Sequence, residues 1–249
     1  MIYNCLMKSE PVKIKGNGYN LLGTIIKPDA SGKLPSVIFY HGMISQSKPR
    51  YVARGEKLAE EGIASLSFDF RGCGESDGKL GELSLKDWFD DALLAFDYLL
   101  KQDFVDKEKA GISGKSFGGY MAALVSEQKK IKSMVLHAPA VYSDDWFNKK
   151  YTWDDDFKKT RYAFRKSEKA LDNIAIRTIE KFKNPLLIIG SELDDTCPKN
   201  VIEGYYEHAG SENKKLEWIK GADHSLRNEK HNEEYTKLMI DWFKKTLWN

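Results

Sequence analysis

The chain has 249 residues, of which 41% are hydrophobic and 31% are charged, and its 39 basic and 37 acidic residues give a formal net charge of +2. This length and apolar content are enough for one substantial core, so we expect a single domain over residues 1–249. The sequence has no basic tract of the kind that neutralises a phosphate backbone, which argues against a nucleic-acid partner.

The sequence carries no pattern typical of targeting or of metal binding. Residues 1–12 have no continuous apolar core of signal-peptide length, and no later stretch is long enough to span a membrane. We therefore expect a cytoplasmic protein with no membrane partner. The three cysteines, Cys5, Cys73 and Cys197, are too scattered for a zinc site, so we expect reduced thiols, no metal and no cofactor.

The predicted secondary structure begins with a β-hairpin. Residues 12–15 and 19–26 flank the glycine turn Gly16-Asn17-Gly18. Beyond the hairpin, short apolar runs alternate with helical patterns, which is typical of consecutive βα units in a doubly wound, mostly parallel sheet. These predicted elements are a strand at 37–39, a helix at 51–61, a strand at 64–68, a helix at 85–100, a strand at 110–113 and a strand at 131–136.

Residues 139–184 differ in composition from the rest of the chain. Aromatic residues interleave there with aspartate, lysine and arginine and show no strand alternation. We expect a short helical insertion ahead of the next predicted strand, at 186–189. One interpretation is an amphipathic helical flap whose aromatic rings simply pack on the sheet. We expect the charges of the insertion to form a solvated face. A last helix is predicted at 234–248, where an apolar face would pack on the sheet.

One turn in the middle of the chain carries the strongest chemical signal. The residues Gly114-Lys115-Ser116-Phe117-Gly118 follow the predicted strand at 110–113 and open a helical pattern at 120–125. Strand, sharp turn and helix are the setting of a nucleophile elbow. Its glycines let the two backbones approach closely while the serine hydroxyl stays exposed. Ser116 is therefore the candidate nucleophile.

A nucleophilic serine needs a histidine as base and a carboxylate that orients the histidine. Asp194 and Asp195 follow the predicted strand at 186–189, and His224 follows another predicted strand at 216–219. Ligand sites of open parallel sheets form at the carboxyl ends of the strands, where such loops converge. His224 is the candidate base and Asp194 or Asp195 the acid, because Asp223 adjoins His224 too closely for the required geometry.

These motifs together resemble the α/β-hydrolase superfamily over nearly the whole chain. The nucleophile, acid and histidine occur in the order found in that superfamily. Two further loops strengthen the resemblance, Tyr40-His41-Gly42-Met43 and Asp69-Phe70-Arg71-Gly72-Cys73-Gly74-Glu75-Ser76-Asp77-Gly78. Within the superfamily the chain is similar to small esterases that resemble bacterial feruloyl and cinnamoyl esterases and dienelactone hydrolases. It departs from them at Lys115 and Cys73, where many members have histidine.

The resemblance implies acyl transfer through a Ser-His-Asp triad. His224 would accept the proton of Ser116, and the backbone N–H groups of Met43 and Phe117 would bind the oxyanion. Members of the superfamily usually have a proline four positions after the acid. Pro198 stands at that distance from Asp194, which favours Asp194 over Asp195.

The resemblance also suggests a role for the insertion at 139–184, because this position commonly holds a lid over the site. Aromatic residues of a lid would give the pocket apolar walls, and the candidate contacts are Trp146, Tyr151 and Trp153. We expect a serine carboxylesterase acting on small hydrophobic or aromatic, feruloyl-like esters. An acylaminoacyl-type peptidase or amidase is the runner-up, because the residues from Ser116 to Met121 also resemble the elbow of such enzymes. The same motifs are compatible with a thioesterase, and less well with a non-catalytic binding protein.

Overall fold

The structure, a computed structural model, describes residues 7–43, 48–152 and 154–248. Eight strands in these residues form one sheet. The strands are β1 Met7–Lys15, β2 Asn20–Pro28, β3 Leu34–Tyr40, β4 Ala64–Phe68, β5 Val105–Lys115, β6 Ser133–His137, β7 Leu186–Ser191 and β8 Lys214–Ile219. The α-helices are α1 Lys48–Glu60, α2 Leu85–Leu100, α3 Phe117–Val125, α4 Asp155–Lys166, α5 Ile174–Ile179, α6 Lys199–His208 and α7 Glu229–Leu247.

The strands lie in the order β1-β2-β4-β3-β5-β6-β7-β8. The β1–β2 and β2–β4 pairs are antiparallel, and every later neighbouring pair is parallel. Gly18 has a φ of 80° in the hairpin turn, a value that glycine adopts without the steric penalty of a side chain. The predicted α/β fold, with a mostly parallel sheet and an antiparallel hairpin at its start, is confirmed.

Several elements begin earlier than their apolar patterns predicted, most of all β1, β5 and α7. β1 starts at Met7 rather than at residue 12, and α7 starts at Glu229 rather than at residue 234. The added part of β1 is an exposed edge, which is held by pairing with β2 and so needs no alternation of apolar side chains. The first turn of α7 is polar and is capped by Asn228, whose side chain accepts a hydrogen bond from the backbone N–H of Lys230.

The sheet is covered on both faces. Val37 and Phe39 of β3 belong to the apolar cluster beneath α1 and α7, whereas Ile38 and Tyr40 belong to the cluster on the opposite face, which includes residues of α2, α3, α5 and α6. A strand buried on both sides reads as a continuous apolar run, which explains why the core strands were visible in the sequence. Because these strands are parallel, the carboxyl ends of β5, β7 and β8 lie at the same end of the sheet.

The segment at 139–184 lies between β6 and β7 and contains α4, α5 and two short 3-10 turns. The predicted helical insertion is confirmed. No helix in the described ranges is both long enough and apolar enough to cross a membrane.

Candidate active site

Ser116 stands at a sharp turn between β5 and α3. Its backbone has φ 52° and ψ −115°, a conformation that costs a residue with a side chain roughly 1–3 kcal/mol. A Cβ on Gly118 would lie 2.0 Å from the carbonyl oxygen of Tyr40, and one on Gly114 would lie 2.5 Å from the carbonyl oxygen of Gly118. Only glycine fits these two positions, so the predicted strand, turn and helix with close backbone contacts are confirmed.

Three side chains from separate strand ends form a continuous hydrogen-bonded chain. Nε2 of His224 lies 3.0 Å from the hydroxyl oxygen of Ser116, and Nδ1 of His224 lies 2.7 Å from Oδ2 of Asp194. A carboxylate can only accept, so Nδ1 carries the proton and Nε2 is left to accept from the hydroxyl. The structure thus brings together the three residues that the sequence selected. In the chain, Ser116 is 108 residues and Asp194 is 30 residues from His224.

The structure places the two neighbouring aspartates in different surroundings. Asp194 has a side chain that is only 3% exposed, and its Oδ1 accepts hydrogen bonds of 2.8 Å from the backbone N–H groups of Thr196 and Cys197. These bonds hold the carboxylate and leave Oδ2 for His224. Asp195 is exposed and accepts a hydrogen bond from the Thr196 hydroxyl instead. Asp223 pairs with Arg227.

Two backbone segments border the Ser116 hydroxyl from the other side. Gly42 lies next to the elbow: a Cβ on it would be in ordinary van der Waals contact, at 3.7 Å, with both the carbonyl oxygen of Lys115 and Cβ of Ser116. Met43 follows it and lines the same cleft. Phe117 is the first residue of α3, so its N–H has no acceptor within the helix. Both segments named as candidate oxyanion donors therefore lie beside the nucleophile.

The Ser116 hydroxyl opens into a cleft of about 280 Å³, which is near the lower end of the range for small-molecule sites. Its lining is mainly polar and contains three cationic side chains. The described residues that line it are Gly42, Met43, Lys115, Ser116, Tyr142, Arg161, Arg165, Thr196, His224 and Ser225.

Two of the predicted substrate contacts of the insertion, Trp146 and Tyr151, are not among the residues that line this cleft. Tyr151 is 1% exposed and packs edge-on against Trp88 and Phe157. Trp146 packs against Phe157 and Phe164. Trp153 lies outside the described residues. For Trp146 and Tyr151 the structure therefore favours packing over substrate contact. Among the described aromatic residues of the insertion, Tyr142 lines the cleft.

The interpretation of the charges in the insertion as a solvated face is wrong for Arg165. This side chain is 2% exposed and donates to the carbonyl oxygens of Val141, at 3.4 Å, and Thr196, at 2.9 Å. Arg161 lies one turn earlier in α4 and lines the cleft with it. Their four-residue spacing, which places two side chains on one helix face, is the sequence signal that could have identified them.

Lys115 precedes the nucleophile and is the third cation of the cleft. Burial, helped by the nearby Arg54 and Arg50, lowers its pKa to about 8, although Asp194 and Asp223 oppose this effect. The sequence marked this position only as a departure from the usual histidine. The same burial makes a positive charge on this side chain unfavourable.

Other titratable groups close to the cleft are held in neutral, bonded states. Burial lowers the pKa of His41, whose Nε2 accepts from the backbone N–H of Phe70 and whose Nδ1 lies 2.7 Å from the carbonyl oxygen of Gly42. Burial raises the pKa of the Cys197 thiol to about 11, so the thiol stays protonated at neutral pH. No cluster of metal-ligating side chains occurs within the described ranges.

The sequence pattern of the Prolyl oligopeptidase family matches residues 50–249. The chain belongs to this family. Among individual relatives, the Quorum-quenching protein AidA of Acinetobacter baumannii strain MDR-ZJ06 is 26% identical over 130 residues, which are 51% of this chain and 43% of AidA. The chain spans less than half the length of the first curated relatives it matches.

Solved structures confirm the α/β-hydrolase fold of this member of the prolyl oligopeptidase family. Est1E from Butyrivibrio proteoclasticus, solved with ferulic acid bound, superimposes with a TM-score of 0.77 at 23% identity and covers 96% of this chain and 100% of its own. A dienelactone hydrolase from Anabaena variabilis ATCC 29413 superimposes with a TM-score of 0.71 at 18% identity, covering 96% of this chain and 98% of its own. The relatives expected from the sequence are thus confirmed as structural neighbours. The chain thus belongs to the prolyl oligopeptidase family and has the α/β-hydrolase fold.

Proposed function

We propose that this protein is a serine hydrolase that cleaves small carboxylic esters through an acyl-enzyme on Ser116. The hydrogen-bonded chain from Asp194 through His224 to Ser116 is the observation that carries the proposal. In this arrangement Ser116 is the nucleophile, His224 the general base and Asp194 the group that fixes the tautomer of His224.

In the first step, the hydroxyl oxygen of Ser116 attacks the ester carbonyl carbon while its proton passes to Nε2 of His224. The charged imidazole is stabilised by Asp194 across the 2.7 Å contact. His224 then gives the proton to the leaving alkoxide, and the C–O bond of the ester breaks. The products of this half-reaction are the free alcohol and an acyl group on Ser116.

The negative oxygen of the tetrahedral intermediate would be bound by the backbone N–H groups of Met43 and Phe117. The position of Gly42 next to the elbow supports this assignment, because it brings the segment of Met43 to the side of Ser116. A water molecule then attacks the acyl-enzyme, again with His224 as base, and releases the carboxylic acid and the free Ser116 hydroxyl.

The size of the cleft supports small substrates. A cleft of about 280 Å³ suits a compact ester better than an extended polymer. The ring of Tyr142 and the side chain of Met43 would contact a hydrophobic or aromatic part of the ester. The likeness to Est1E with ferulic acid bound supports the aromatic, feruloyl-like esters among these substrates.

Peptide or amide hydrolysis is the second candidate, and membership of the prolyl oligopeptidase family favours it. The same groups would serve, with His224 protonating an amine in place of an alkoxide. A thioester could be cleaved in the same way. An ester, a thioester and an amide of one acyl group, assayed side by side, distinguish the three; amide cleavage faster than ester cleavage would replace the esterase proposal by the peptidase one.

The first test compares the wild type and Ser116→Ala in the hydrolysis of p-nitrophenyl butyrate, with circular dichroism to verify folding. We expect loss of nearly all activity in the variant and labelling of only the wild type by a fluorophosphonate. Equal rates for the two proteins, or a folded wild type that is neither active nor labelled, would contradict the proposal and favour a binding role.

A further inference from the structure

Three cationic side chains converge on the small cleft that contains Ser116. Lys115 comes from the elbow, and Arg161 and Arg165 come from consecutive turns of α4. In the described lining these cations are accompanied by no aspartate or glutamate. A small cleft with several cations and no lining carboxylate has a positive potential, which is concentrated where water is excluded.

The carboxylates close to Lys115, those of Asp194 and Asp223, bond to other groups. Asp194 bonds to His224 and to the backbone of its own loop, and Asp223 forms an ion pair with Arg227. Among the described residues, no carboxylate lies within ion-pair distance of Lys115 or Arg165. Within the described residues, the positive charges of Lys115 and Arg165 are therefore not neutralised by ion pairs.

The burial of Arg165 supports a binding role. The residue is 2% exposed, and its guanidinium lies over the ring of Tyr142, 5.3 Å from the ring centre, and donates to the carbonyl oxygens of Val141 and Thr196. Those carbonyls orient the group but leave its positive charge unneutralised. A buried charge without a charged partner is costly, and an anion that enters the cleft would offset this cost.

We propose that the cleft selects esters that carry an anionic group, most simply a carboxylate, in the same molecule as the scissile carbonyl. The inference rests on the proposed esterase function. The anion would be bound by Arg161 and Arg165, with Lys115 adding charge next to the nucleophile. Because all three line the cleft of Ser116, the anion and the scissile carbonyl must be only a short chain apart.

The same charges disfavour a substrate with a free ammonium group. A peptide with a free amino terminus near the scissile bond would meet three cations and no lining carboxylate in the described cleft. Like charges in such surroundings repel strongly. The inference therefore distinguishes an anion-selective esterase from an aminopeptidase with the same nucleophile.

A series of three esters that differ only in the terminal group tests the charge preference. Monomethyl adipate ends in a carboxylate, methyl hexanoate in a methyl group and methyl 6-aminohexanoate in an ammonium group, and all three release methanol. We expect kcat/KM to fall in that order, with the anion preferred over the neutral ester by about tenfold or more at low salt. A second series with 5-acetoxypentanoate and pentyl acetate carries the charge on the alcohol side.

Two variants in the cleft test which side chains cause the preference, and a third variant outside the cleft is the matched control. Arg161→Gln and Lys115→Met should each lower the ratio of kcat/KM for the anionic ester to that for the neutral ester by about fivefold. Lys158→Gln removes a charge from an exposed position of the same helix and should leave the ratio unchanged. Damage to packing alone would lower kcat/KM for both esters alike and would not move the ratio.

The outcomes separate this inference from the proposed function. A wild type that cleaves neutral and anionic esters equally well in both series, or a ratio that neither cleft variant changes, overturns the inference and leaves the esterase function standing. If no ester is cleaved, the proposed function fails. Calorimetric binding of monomethyl adipate and methyl hexanoate to Ser116→Ala then decides the inference, which is sustained by tighter binding of the anion and overturned by equal or absent binding.

Discussion

Arg165, in the helical insertion, donates a 2.9 Å hydrogen bond to the backbone carbonyl of Thr196, two residues beyond Asp194. The N–H of the same Thr196 donates to the carboxylate of Asp194. One peptide segment thus connects a helix of the insertion to the group that orients His224. The insertion is tied to the candidate triad by hydrogen bonds, and not only by the aromatic packing that its composition suggested.

We predict that Arg165→Met lowers both stability and turnover. The variant removes the donor to the carbonyl oxygens of Thr196 and of the fully buried Val141, and a buried carbonyl that loses its partner costs about 1–3 kcal/mol. Thermal unfolding and kcat on a neutral ester measure the two effects. Arg177→Met, an arginine that is half exposed and pairs with Asp144 and Asp172, is the control and should change neither by much. If kcat of Arg165→Met equals that of the wild type, the loop of Asp194 and Thr196 holds its position without this hydrogen bond.

The two neighbouring aspartates should differ sharply in their effect on turnover. Asp194→Asn replaces the acceptor of the Nδ1 proton by an amide, which favours the wrong tautomer of His224, and we expect kcat to fall by a factor on the order of 10⁴. Asp195→Asn changes an exposed side chain and should keep kcat within about twofold of the wild type. The steady-state rates of the two variants on one ester measure this, and the reverse pattern would make Asp195 the acid.

Replacing Lys115 by methionine should stabilise the protein at neutral pH. The pKa of Lys115 is lowered from 10.5 to about 8, so its protonated form is disfavoured in the folded state, by on the order of 3 kcal/mol. Lys115→Met removes this charge and keeps an apolar side chain of similar length. We expect a higher melting temperature than that of the wild type at pH 7.

The gain from Lys115→Met should depend on pH in a defined direction. Between pH 8 and 10.5 the unfolded wild type binds more protons at this lysine than the folded protein does, so the stability of the wild type rises relative to the variant. The difference in unfolding free energy is therefore largest at pH 7 and shrinks as the pH approaches 10.5. A difference that is constant with pH would show that packing, and not charge, is responsible.

The close contact at the elbow predicts a severe effect of a single methyl group. In Gly118→Ala the new Cβ would lie 2.0 Å from the carbonyl oxygen of Tyr40, so strand and helix must separate. We expect a loss of several kcal/mol or failure to fold, measured by urea unfolding and by yield of soluble protein. Gly81→Ala meets no atom within 4 Å and should stay within about 0.5 kcal/mol of the wild type.

The sequence by itself determined the α/β fold, the elbow and the three residues of the candidate triad. These features depend on local chemistry: buried strands are continuous apolar runs, a strained turn with close backbone contacts needs glycine, and the loops at the ends of parallel strands must meet at one edge of a sheet. The choice of Asp194 over Asp195 came from the spacing to Pro198, and the structure places Asp194 against His224.

Only the tertiary structure decided what surrounds the nucleophile. Composition suggested aromatic contacts from Trp146 and Tyr151, yet these rings pack with other aromatic residues, and the cleft is lined by Arg161 and Arg165 from the same insertion. Whether a side chain faces the core, the solvent or a cleft depends on how its helix packs against distant strands. Contacts with residues distant in the chain set the rotation of a helix about its axis. A run of mixed aromatic and charged residues is compatible with several such rotations.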